Sequence, residues 1–297
     1  MNFGAHMSAA GGVDQAFARG EAAGCRTLQL FTKNERQWRA KPLAPETIAQ
    51  FRAEASRSGL APLLSHASYL INLATPGDEL WEQSIEAFAD ELDRCAQLGI
   101  PYLVVHPGAH TGSGTDAGIK RVGAALDRLF AEGTGGNVTV LLETTAGQGT
   151  CLGGTFEELA RMLELLRHPE RAAVCVDTCH IFAAGYDFRE PEAYASTFER
   201  FQELLGLEHI KAFHLNDSKG GPGSHLDRHE AIGDGQIGLE GFRHLVSDPR
   251  FLRVPMVLET PKGKDDAEDI RNLATLRRLR PASMVSNRSA EEAPSSP

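Results

Sequence analysis

Short apolar runs alternate along the chain with longer stretches in which apolar residues recur every three or four positions. The runs are rich in valine, leucine and isoleucine, are too short for helices, and most are followed by glycine, proline or threonine, as buried strands are. They occupy residues 2–6, 27–31, 61–66, 102–106, 138–143, 172–177, 210–214 and 255–259. The stretches between them, such as residues 45–59, have the period of amphipathic helices with acidic first turns.

This order of elements predicts an α/β protein built as a single (β/α)8 TIM barrel. Eight strands and eight helices in strict alternation, on roughly 250 residues, match that barrel, whose active site lies at the C-terminal ends of its strands. An open doubly wound sheet is the alternative, but it usually carries a glycine-rich first turn, which this chain lacks. We expect a catalytic barrel domain over residues 1–280 and a disordered, polar tail over residues 281–297.

Six of the eight apolar runs end in a residue type that binds metals. These residues are His66, His106, Glu143, Asp177, His214 and Glu259. Successive members are 40, 37, 34, 37 and 45 residues apart, which is about one strand-and-helix unit each. Because all strands of a barrel end at one face, the six side chains are expected to share a small volume. Carboxylates and imidazoles crowded there are costly unless cations hold them together, so a metal cluster is predicted.

Two local spacings extend this set to nine candidate ligands. The segment DTCH places His180 three residues after Asp177, and the segment DRH places Asp227 and His229 two residues apart. Nine nitrogen and oxygen ligands without a cysteine favour two or three ions of Zn²⁺ or Mn²⁺ in an open, catalytic site. Each residue alone is explained equally well as a hydrogen-bonding or capping residue, and only the joint pattern favours metal. Three further histidines are expected to support the ligands or to lie at the surface: His6, His110 and His225.

The cysteines are expected to be free thiols. Their number is five, they lack the spacing of a disulfide framework, and no secretory signal is apparent, so we expect a bacterial-type cytosol. In CVDTCH, Cys175 is predicted to be a small apolar filler inside the barrel, and Cys179 to lie unpaired on the turn that follows. No run of 18 apolar residues occurs, so no membrane span is expected.

Several long segments resemble the endonuclease IV family of abasic-site endonucleases over about residues 3–262. They read GAHMSAAGG, FTKNERQWR, HASYLINLATP, HPGAH, LLETTAGQG, VCVDTCHIFAAGYD and HLNDSKGGPGSHLDRHEAIGDGQIG. The resemblance implies a monomeric, zinc-dependent enzyme that acts on double-stranded DNA containing abasic sites. It would hydrolyse the phosphodiester 5′ to the lesion, leave a 3′-hydroxyl and a 5′-deoxyribose phosphate, and also remove 3′-blocking groups.

The resemblance also implies three zinc ions, with Mn²⁺ at one position as an alternative. It gives His66, His106 and Glu143 to the first ion. Glu143, shared between two ions, joins Asp177, His214 and Glu259 at the second, and His180, Asp227 and His229 hold the third. Glu143 is the predicted catalytic residue, which positions the attacking hydroxide. Thr144 and Met7 depart from the residues frequent in the family, and neither is expected to touch a ligand.

A basic and aromatic segment, residues 33–41, is the candidate DNA contact. The formal charge of −10 alone argues against nucleic acid, but metal-bound carboxylates are neutralised, so the question stays open. Four basic residues surround Trp38 on this segment: Lys33, Arg36, Arg39 and Lys41. By resemblance, Asn34, Arg36 and Gln37 contact DNA. Tyr69 and Leu70 fill the gap in the duplex as a wedge, although Tyr69 could instead pack over the barrel rim.

Two other functions fit the ligand pattern less well. A metal-dependent sugar isomerase or epimerase on a similar barrel usually needs fewer ligands and has no use for the third set in SHLDRH. A non-enzymatic metal-binding barrel would have no use for a basic loop at the open face.

Overall fold

Eight parallel strands close into a barrel, which confirms the predicted (β/α)8 fold. The structure, a computed structural model, describes residues 2–263 and 266–281. The barrel strands are β1 (Asn2–His6), β2 (Thr27–Leu30), β3 (Leu63–His66), β4 (Tyr102–Val105), β5 (Thr139–Glu143), β6 (Ala172–Asp177), β7 (Ile210–Leu215) and β10 (Pro255–Leu258). They are hydrogen-bonded in chain order, and β10 pairs with β1 to close the ring.

Helices cover the outside of the barrel. The described α-helices are α1 (Gln15–Ala23), α2 (Pro45–Ser58), α3 (Asp78–Leu98), α4 (Thr115–Ala131), α5 (Phe156–Glu164), α6 (Thr178–Ala184), α7 (Pro191–Leu204), α8 (Gly238–Ser247) and α9 (Ala267–Leu279). Single 3₁₀ turns at Pro169–Arg171, Leu207–His209 and Pro249–Phe251 precede β6, β7 and β10. In α3 the buried apolar residues recur with helical spacing at Ile85, Phe88, Leu92 and Cys95, so that one face packs on the barrel.

The predicted strict alternation is wrong around β6 and β7. Two helices, α6 and α7, separate these strands, because the Asp177 carboxylate accepts a 2.9 Å hydrogen bond from the backbone N–H of His180 and caps a new helix. That helix ends at Gly185, whose φ of 111° is in the left-handed region, and Pro191 starts the next helix. Cys179 is therefore on a helix and not on a turn. A short antiparallel pair, β8 (Asp217–Ser218) and β9 (His229–Glu230), also lies between β7 and α8.

A layer of apolar side chains fills the inside of the barrel. It consists of Leu64, Val104, Leu141, Ala173, Cys175, Ala212 and Val257. Six of these seven residues, all except Ala173, precede a predicted metal ligand by two positions. Since side chains along a strand alternate between its faces, those ligands point inward above an apolar floor. Cys175 is the predicted filler, and burial raises the pKa of its thiol to about 12.

Three further predictions concern the cysteines, membrane spans and the end of the chain. All five cysteines are free thiols, and Cys151 is the exposed one. In the described part of the chain, no helix combines the length and the apolar character needed to span a bilayer. The predicted tail begins at residue 281, and its residues 282–297 lie outside the described residues.

Candidate metal centre

All nine predicted ligands lie together at the C-terminal mouth of the barrel. They form three clusters: the first of His66, His106 and Glu143, the second of Glu143, Asp177, His214 and Glu259, and the third of His180, Asp227 and His229. Within each cluster, one ligand atom per residue lies within 4.8 Å of the others. These groupings coincide with those the family resemblance implies, while the binding of metal by these residues stays a prediction.

The first cluster gathers two imidazoles around one carboxylate oxygen. Nε2 of His66 and Nε2 of His106 each lie 3.0 Å from Oε2 of Glu143. His66 ends β3, His106 directly follows β4, and Glu143 ends β5, so three adjacent strands supply the cluster. Glu143 and His66 are buried, whereas the His106 side chain is 36% exposed, which leaves this cluster open toward solvent.

The second cluster uses the other oxygen of Glu143. Nδ1 of His214 lies 2.7 Å from Oε1 of Glu143 and 3.3 Å from Oε2 of Glu259. Asp177 completes the group, with Oδ2 at 4.0 Å from the same nitrogen. Glu143, Asp177 and His214 are fully buried. One carboxylate therefore faces two clusters at once, as a bridging ligand does.

The third cluster is the least buried of the three. Oδ1 of Asp227 lies 3.2 Å from Nε2 of His180 and 3.5 Å from Nε2 of His229. Asp227 is 42% exposed and His229 19% exposed, while His180 is buried. Neither Nε2 atom has a partner with hydrogen-bond geometry among the described residues. Buried polar atoms are rarely left this way, and lone pairs that converge on a common point suit a cation.

Backbone carbonyls set the tautomers of three of the imidazoles. Nδ1 of His66 lies 2.8 Å from the carbonyl of Ala67, Nδ1 of His180 lies 2.8 Å from that of Thr144, and Nδ1 of His229 lies 3.1 Å from that of Glu259. A carbonyl only accepts hydrogen bonds, so each Nδ1 carries a proton, and Nε2 is the atom that each ring turns toward the carboxylates of its cluster. This is the usual support of metal-binding histidines. The donor set, imidazole nitrogen with carboxylate oxygen, fits zinc.

The ionisation of the clusters follows from their mutual charges. Burial raises the pKa of the Asp227 carboxyl, but the close approach of His180, at 3.2 Å, and the charges of the nearby imidazoles outweigh it and hold that pKa at about 2. Burial lowers the pKa of His180, yet Asp177, Asp227 and Glu143 raise it to about 10. Glu143 is also held well below its usual pKa, because the charges of His214 and His106 outweigh its burial. Protons on the imidazoles and a bound cation are thus alternative ways to balance these carboxylates.

Cys179 is the tenth residue near the centre, and it was not predicted to be a ligand. Its sulfur groups with Asp177 and His229 within the same 4.8 Å limit. Burial raises the pKa of this thiol to about 12, and its Sγ donates a 3.7 Å hydrogen bond to the carbonyl of Arg228. A neutral thiol that already has an acceptor is a poor ligand, so the carboxylate and imidazole set remains the better description.

Two polar residues beside the ligands were missed or misjudged from the sequence. Nδ2 of Asn216 donates a 2.7 Å hydrogen bond to Asp177, and its Oδ1 accepts one of 3.0 Å from the backbone N–H of Glu259. Thr144 was expected to touch no ligand, which is wrong, because its Oγ1 accepts a 2.9 Å hydrogen bond from the N–H of Asp177 and its carbonyl orients His180. Met7 is buried in the core. Only the three-dimensional pairing of β5 with β6 reveals the role of Thr144.

Asp217, also missed, anchors the loop that carries two of the three residues of the third cluster. Its buried carboxylate accepts four backbone hydrogen bonds, from Ser218, Gly233, Ile237 and Gly238, at 2.8 to 3.2 Å. Gly235 approaches so closely that a Cβ atom there would lie 2.4 Å from Oδ1 of Asp217. This carboxylate ties residues 217–238 into one unit, within which β9 presents His229.

Of the three histidines expected to support the ligands or to lie at the surface, His6 contacts a ligand, and His110 and His225 make hydrogen bonds within the loops. Nδ1 of His6 lies 3.2 Å from Oε1 of Glu259, so His6 supports the second cluster. Nδ1 of His225 lies 2.8 Å from the carbonyl of Ala146. Nδ1 of His110 accepts hydrogen bonds from the backbone of its own loop at Gly112 and Gly114.

The predicted DNA contacts lie on two loops beside this centre. Asn34, Arg36 and Gln37 lie on the β2 loop (residues 31–44), and the Arg36 side chain is 87% exposed. On the β3 loop (residues 67–77), Leu70 is half-buried and Tyr69 is 64% exposed. The Tyr69 ring lies 5.7 Å from the ring of His66, between centroids, so it stands at the edge of the first cluster.

The basic segment is smaller than its sequence suggests. Lys33 was grouped with the exposed basic residues, but its side chain is 1% exposed and its Nζ lies 2.8 Å from Oδ2 of Asp90. Trp38 is half-buried and packs against the hydrophobic core. Arg39 is exposed and pairs with Glu86 at 3.2 Å, and Lys41 is exposed. The acidic residues of α3 that bind Lys33 and Arg39 lie 57 and 47 positions away in the chain, so no local sequence pattern reveals these pairs.

A buried network on α3 holds both loops. Glu91 accepts hydrogen bonds from Oγ1 of Thr32 at 3.0 Å and from the N–H of Ser68 at 3.3 Å, so it joins the β2 loop to the β3 loop. Arg94 donates to the carbonyl of Thr32 at 2.6 Å and to that of Lys41 at 3.1 Å. Both side chains are buried, which makes these contacts costly to break.

An open cleft of about 750 Å³ adjoins the second and third clusters. Its walls come from the segment after β1, the β2 loop and Tyr69, and its floor includes His229 and Glu259. A volume of this size admits a ligand as large as a nucleotide.

The closed barrel with this carboxylate and imidazole mouth places the protein in a broad class. Residues 17–279 match the family described as the xylose isomerase-like TIM barrel. A D-tagatose 3-epimerase-like protein superimposes with a TM-score of 0.72 over 98% of this chain and 100% of its own, at 16% sequence identity. That level of identity shows the shared fold alone.

Relatives of higher identity are more specific. The protein named probable endonuclease 4 of Chloroflexus aurantiacus is 62% identical over 277 residues, covering 93% of this chain and 97% of the relative. Its namesake in Geobacter sulfurreducens is 51% identical over 276 residues, with 93% of each covered. The crystal structure of endonuclease IV from Thermus thermophilus matches with a TM-score of 0.83 and 39% identity, over 94% and 98% of the two chains. The chain therefore belongs to the endonuclease IV family of DNA-repair nucleases, and it is a hydrolase.

Proposed function

We propose that this protein is a zinc-dependent endonuclease that cuts double-stranded DNA on the 5′ side of abasic sites. The products would be a 3′-hydroxyl and a 5′-deoxyribose phosphate, and the same centre would remove 3′-blocking groups. The observation that carries the proposal is the set of three clusters, two of them joined through Glu143, at a mouth flanked by exposed polar and aromatic loops. Membership in a family of endonucleases supports the same reaction.

The nine ligands would hold three zinc ions in the three clusters described above, with Mn²⁺ at one of them as an alternative. Zinc bound there would make hydroxide available near neutral pH, by lowering the pKa of water to ~7, and would offset the charge of the phosphate. The unpartnered Nε2 atoms of His180 and His229 support the third position. The carbonyl-fixed tautomers of His66 and His180 support neutral, ligating rings.

Glu143 would be the catalytic residue. Its Oε2 faces the first cluster and its Oε1 faces the second, so this side chain would hold the two clusters at a fixed spacing around the attacking hydroxide. Complete burial keeps the carboxylate in one orientation, and its pKa well below the usual range keeps it ionised at neutral pH. Preorganised charges of this kind are effective in catalysis, because they do not have to reorient during the reaction.

Lesion recognition would rest on the two loops. An abasic nucleotide has no base to stack, so turning it out of the duplex costs less than turning out a normal one. The exposed Tyr69, with Leu70 behind it, would fill the resulting gap, while Asn34, Arg36 and Gln37 contact the backbone. The cleft beside the clusters would receive the extruded sugar and phosphate.

A single assay tests this proposal. A duplex with one synthetic abasic site, labelled at its 5′ end, is incubated with protein of measured metal content, and an undamaged duplex serves as the control. We expect about three zinc ions per chain, incision only at the lesion, loss of incision after chelation and recovery with zinc. Epimerisation of a ketose without any incision would instead favour the sugar-isomerase alternative, which no feature of the described residues specifically supports.

A further inference from the structure

Gln29 is a polar residue in the middle of an apolar strand. It belongs to β2 and is fully buried, with leucines on both sides in the sequence TLQL. Its amide makes three contacts at the barrel mouth. Nε2 of His214 lies 2.9 Å from Oε1 of Gln29, and Nε2 of Gln29 lies 2.5 Å from Oε1 of Glu259 and 2.9 Å from Nδ1 of His6. Two of these three partners, His214 and Glu259, are predicted ligands of the second cluster.

The chemistry of Glu259 fixes the orientation of the Gln29 amide, and with it the direction of the hydrogen bond to His214. The Glu259 carboxylate offers oxygen lone pairs to Nε2 of Gln29, which lies 2.5 Å from its Oε1. It can only accept, so the amide NH₂ of Gln29 must face it and the amide oxygen must face His214. His214 therefore donates through Nε2, and its Nδ1 points at Glu143 and Glu259.

His214 thus differs from three other imidazoles of the centre. His66, His180 and His229 each use Nδ1 to bind a backbone carbonyl and present Nε2 to the carboxylates. His214 presents Nδ1, and a side-chain amide supplies the orienting acceptor that the backbone supplies elsewhere. The position of a backbone carbonyl is determined by the fold, whereas a side-chain acceptor can be removed by a single substitution.

We propose that Gln29 is a positioning residue of the second cluster. It holds His214 in the tautomer that ligates through Nδ1, and at the same time it fixes one oxygen of Glu259, so that the cluster binds a divalent transition-metal cation such as zinc. This inference rests on the proposed zinc sites. Partners of this kind typically contribute 10- to 100-fold to metal affinity.

The test is zinc affinity, measured by competition with a chromophoric chelator on the full chain after metal removal. In Gln29→Leu and in the longer Gln29→Met, we expect one of the three zinc ions to be bound about 10- to 100-fold more weakly, with the other two unchanged. The matched control is Gln50→Leu, which removes an exposed amide that binds Asp14 on the outer surface. The circular dichroism of each metal-free variant is compared with that of the wild type to show that it is folded.

A second readout reports the tautomer directly. In zinc-loaded wild-type protein labelled with ¹⁵N-histidine, the His214 ring is expected to show a protonated Nε2 and a ligated Nδ1, and Gln29→Met is expected to lose this signature. If Gln29 only filled space inside the barrel, its replacement would not change the tautomer of one particular histidine. Wild-type affinity at all three sites in both folded variants would overturn the inference and leave the proposed function intact. Wild-type protein that binds no zinc would overturn both.

Discussion

Removal of the charge on Asp217 is expected to detach the loop that carries Asp227 and His229. Oδ1 of Asp217 accepts hydrogen bonds from two backbone N–H groups, those of Ser218 and Ile237, and Oδ2 accepts from those of Gly233 and Gly238. In Asp217→Asn, one of the two carboxylate oxygens is replaced by NH₂. The two backbone N–H groups that donated to that oxygen then face another donor. At about 1.5–3 kcal/mol for each hydrogen bond to a charged group, the strain is about 3–6 kcal/mol while the loop stays in place.

The loop can relieve this strain by leaving its position, and the third cluster would then lose two of its three members. We therefore expect Asp217→Asn to bind about two zinc ions per chain where the wild type binds about three. The free energy of unfolding of the metal-free protein, from urea titration, is expected to fall by about 3 kcal/mol or more. Zinc is measured by elemental analysis after gel filtration.

The matched control is Asp234→Asn on the same loop. Asp234 is 59% exposed and pairs with Arg271 at 3.1 Å, a surface pair worth about 0–1 kcal/mol, so zinc content should not change. If Asp217→Asn kept the wild-type zinc content and unfolded with a free energy within about 0.5 kcal/mol of the wild type, the anchoring role of Asp217 would be refuted.

Three further predictions follow from the site and the core. Glu143→Gln should remain folded but lose incision by at least about 10²-fold, because a preorganised charge is removed; a near wild-type rate would contradict the catalytic role. Tyr69→Ala should bind abasic duplex about 5- to 150-fold more weakly, the equivalent of about 1–3 kcal/mol of stacking, with zinc content unchanged; Leu165→Ala, an exposed control on the opposite side, should bind normally. Asp248 accepts a 2.7 Å hydrogen bond from Tyr194, and although burial raises its pKa, Arg250 and Tyr194 lower it overall. Its stabilisation is therefore present above the unfolded pKa of about 3.9 and lost as pH falls through the folded pKa, so Asp248→Asn should cost about 1–3 kcal/mol at pH 7 and progressively less below pH ~3.9. Urea titrations across that range check the last prediction, which a pH-independent difference would contradict.

The ligands at the strand ends could be predicted from the sequence, because one geometric rule brings them together. His66, His106 and Glu143 end successive strands, and parallel strands of a barrel end at one face, so spacing alone predicts their proximity. His180, Asp227 and His229 lie beyond the strands, and only the family resemblance grouped them. The structure places them in one cluster.

The polar residues that orient the ligands could not be predicted from the sequence in the same way. Asn216 and Asp217 follow His214 in the motif HLND, where any polar residue after a strand looks like part of a loop. Gln29 is unusual in the sequence, because it is an amide inside an apolar strand. Its partners lie on other strands of the barrel, so the sequence does not identify them. Lys33 was wrongly expected to be exposed, because the sequence around a lysine does not show which distant carboxylates pair with it in the interior.

The buried network of Glu91 and Arg94 has a consequence for the thermodynamics of DNA association. Because one helix clamps both loops, their backbones have little conformational freedom to lose when a duplex arrives. An unconstrained loop would give up roughly 1–2 kcal/mol for each residue whose backbone becomes fixed, and this loss would weaken binding. With the DNA contacts proposed above, helix α3, which lies outside the barrel, would therefore contribute to affinity by removing an entropic cost before the encounter begins.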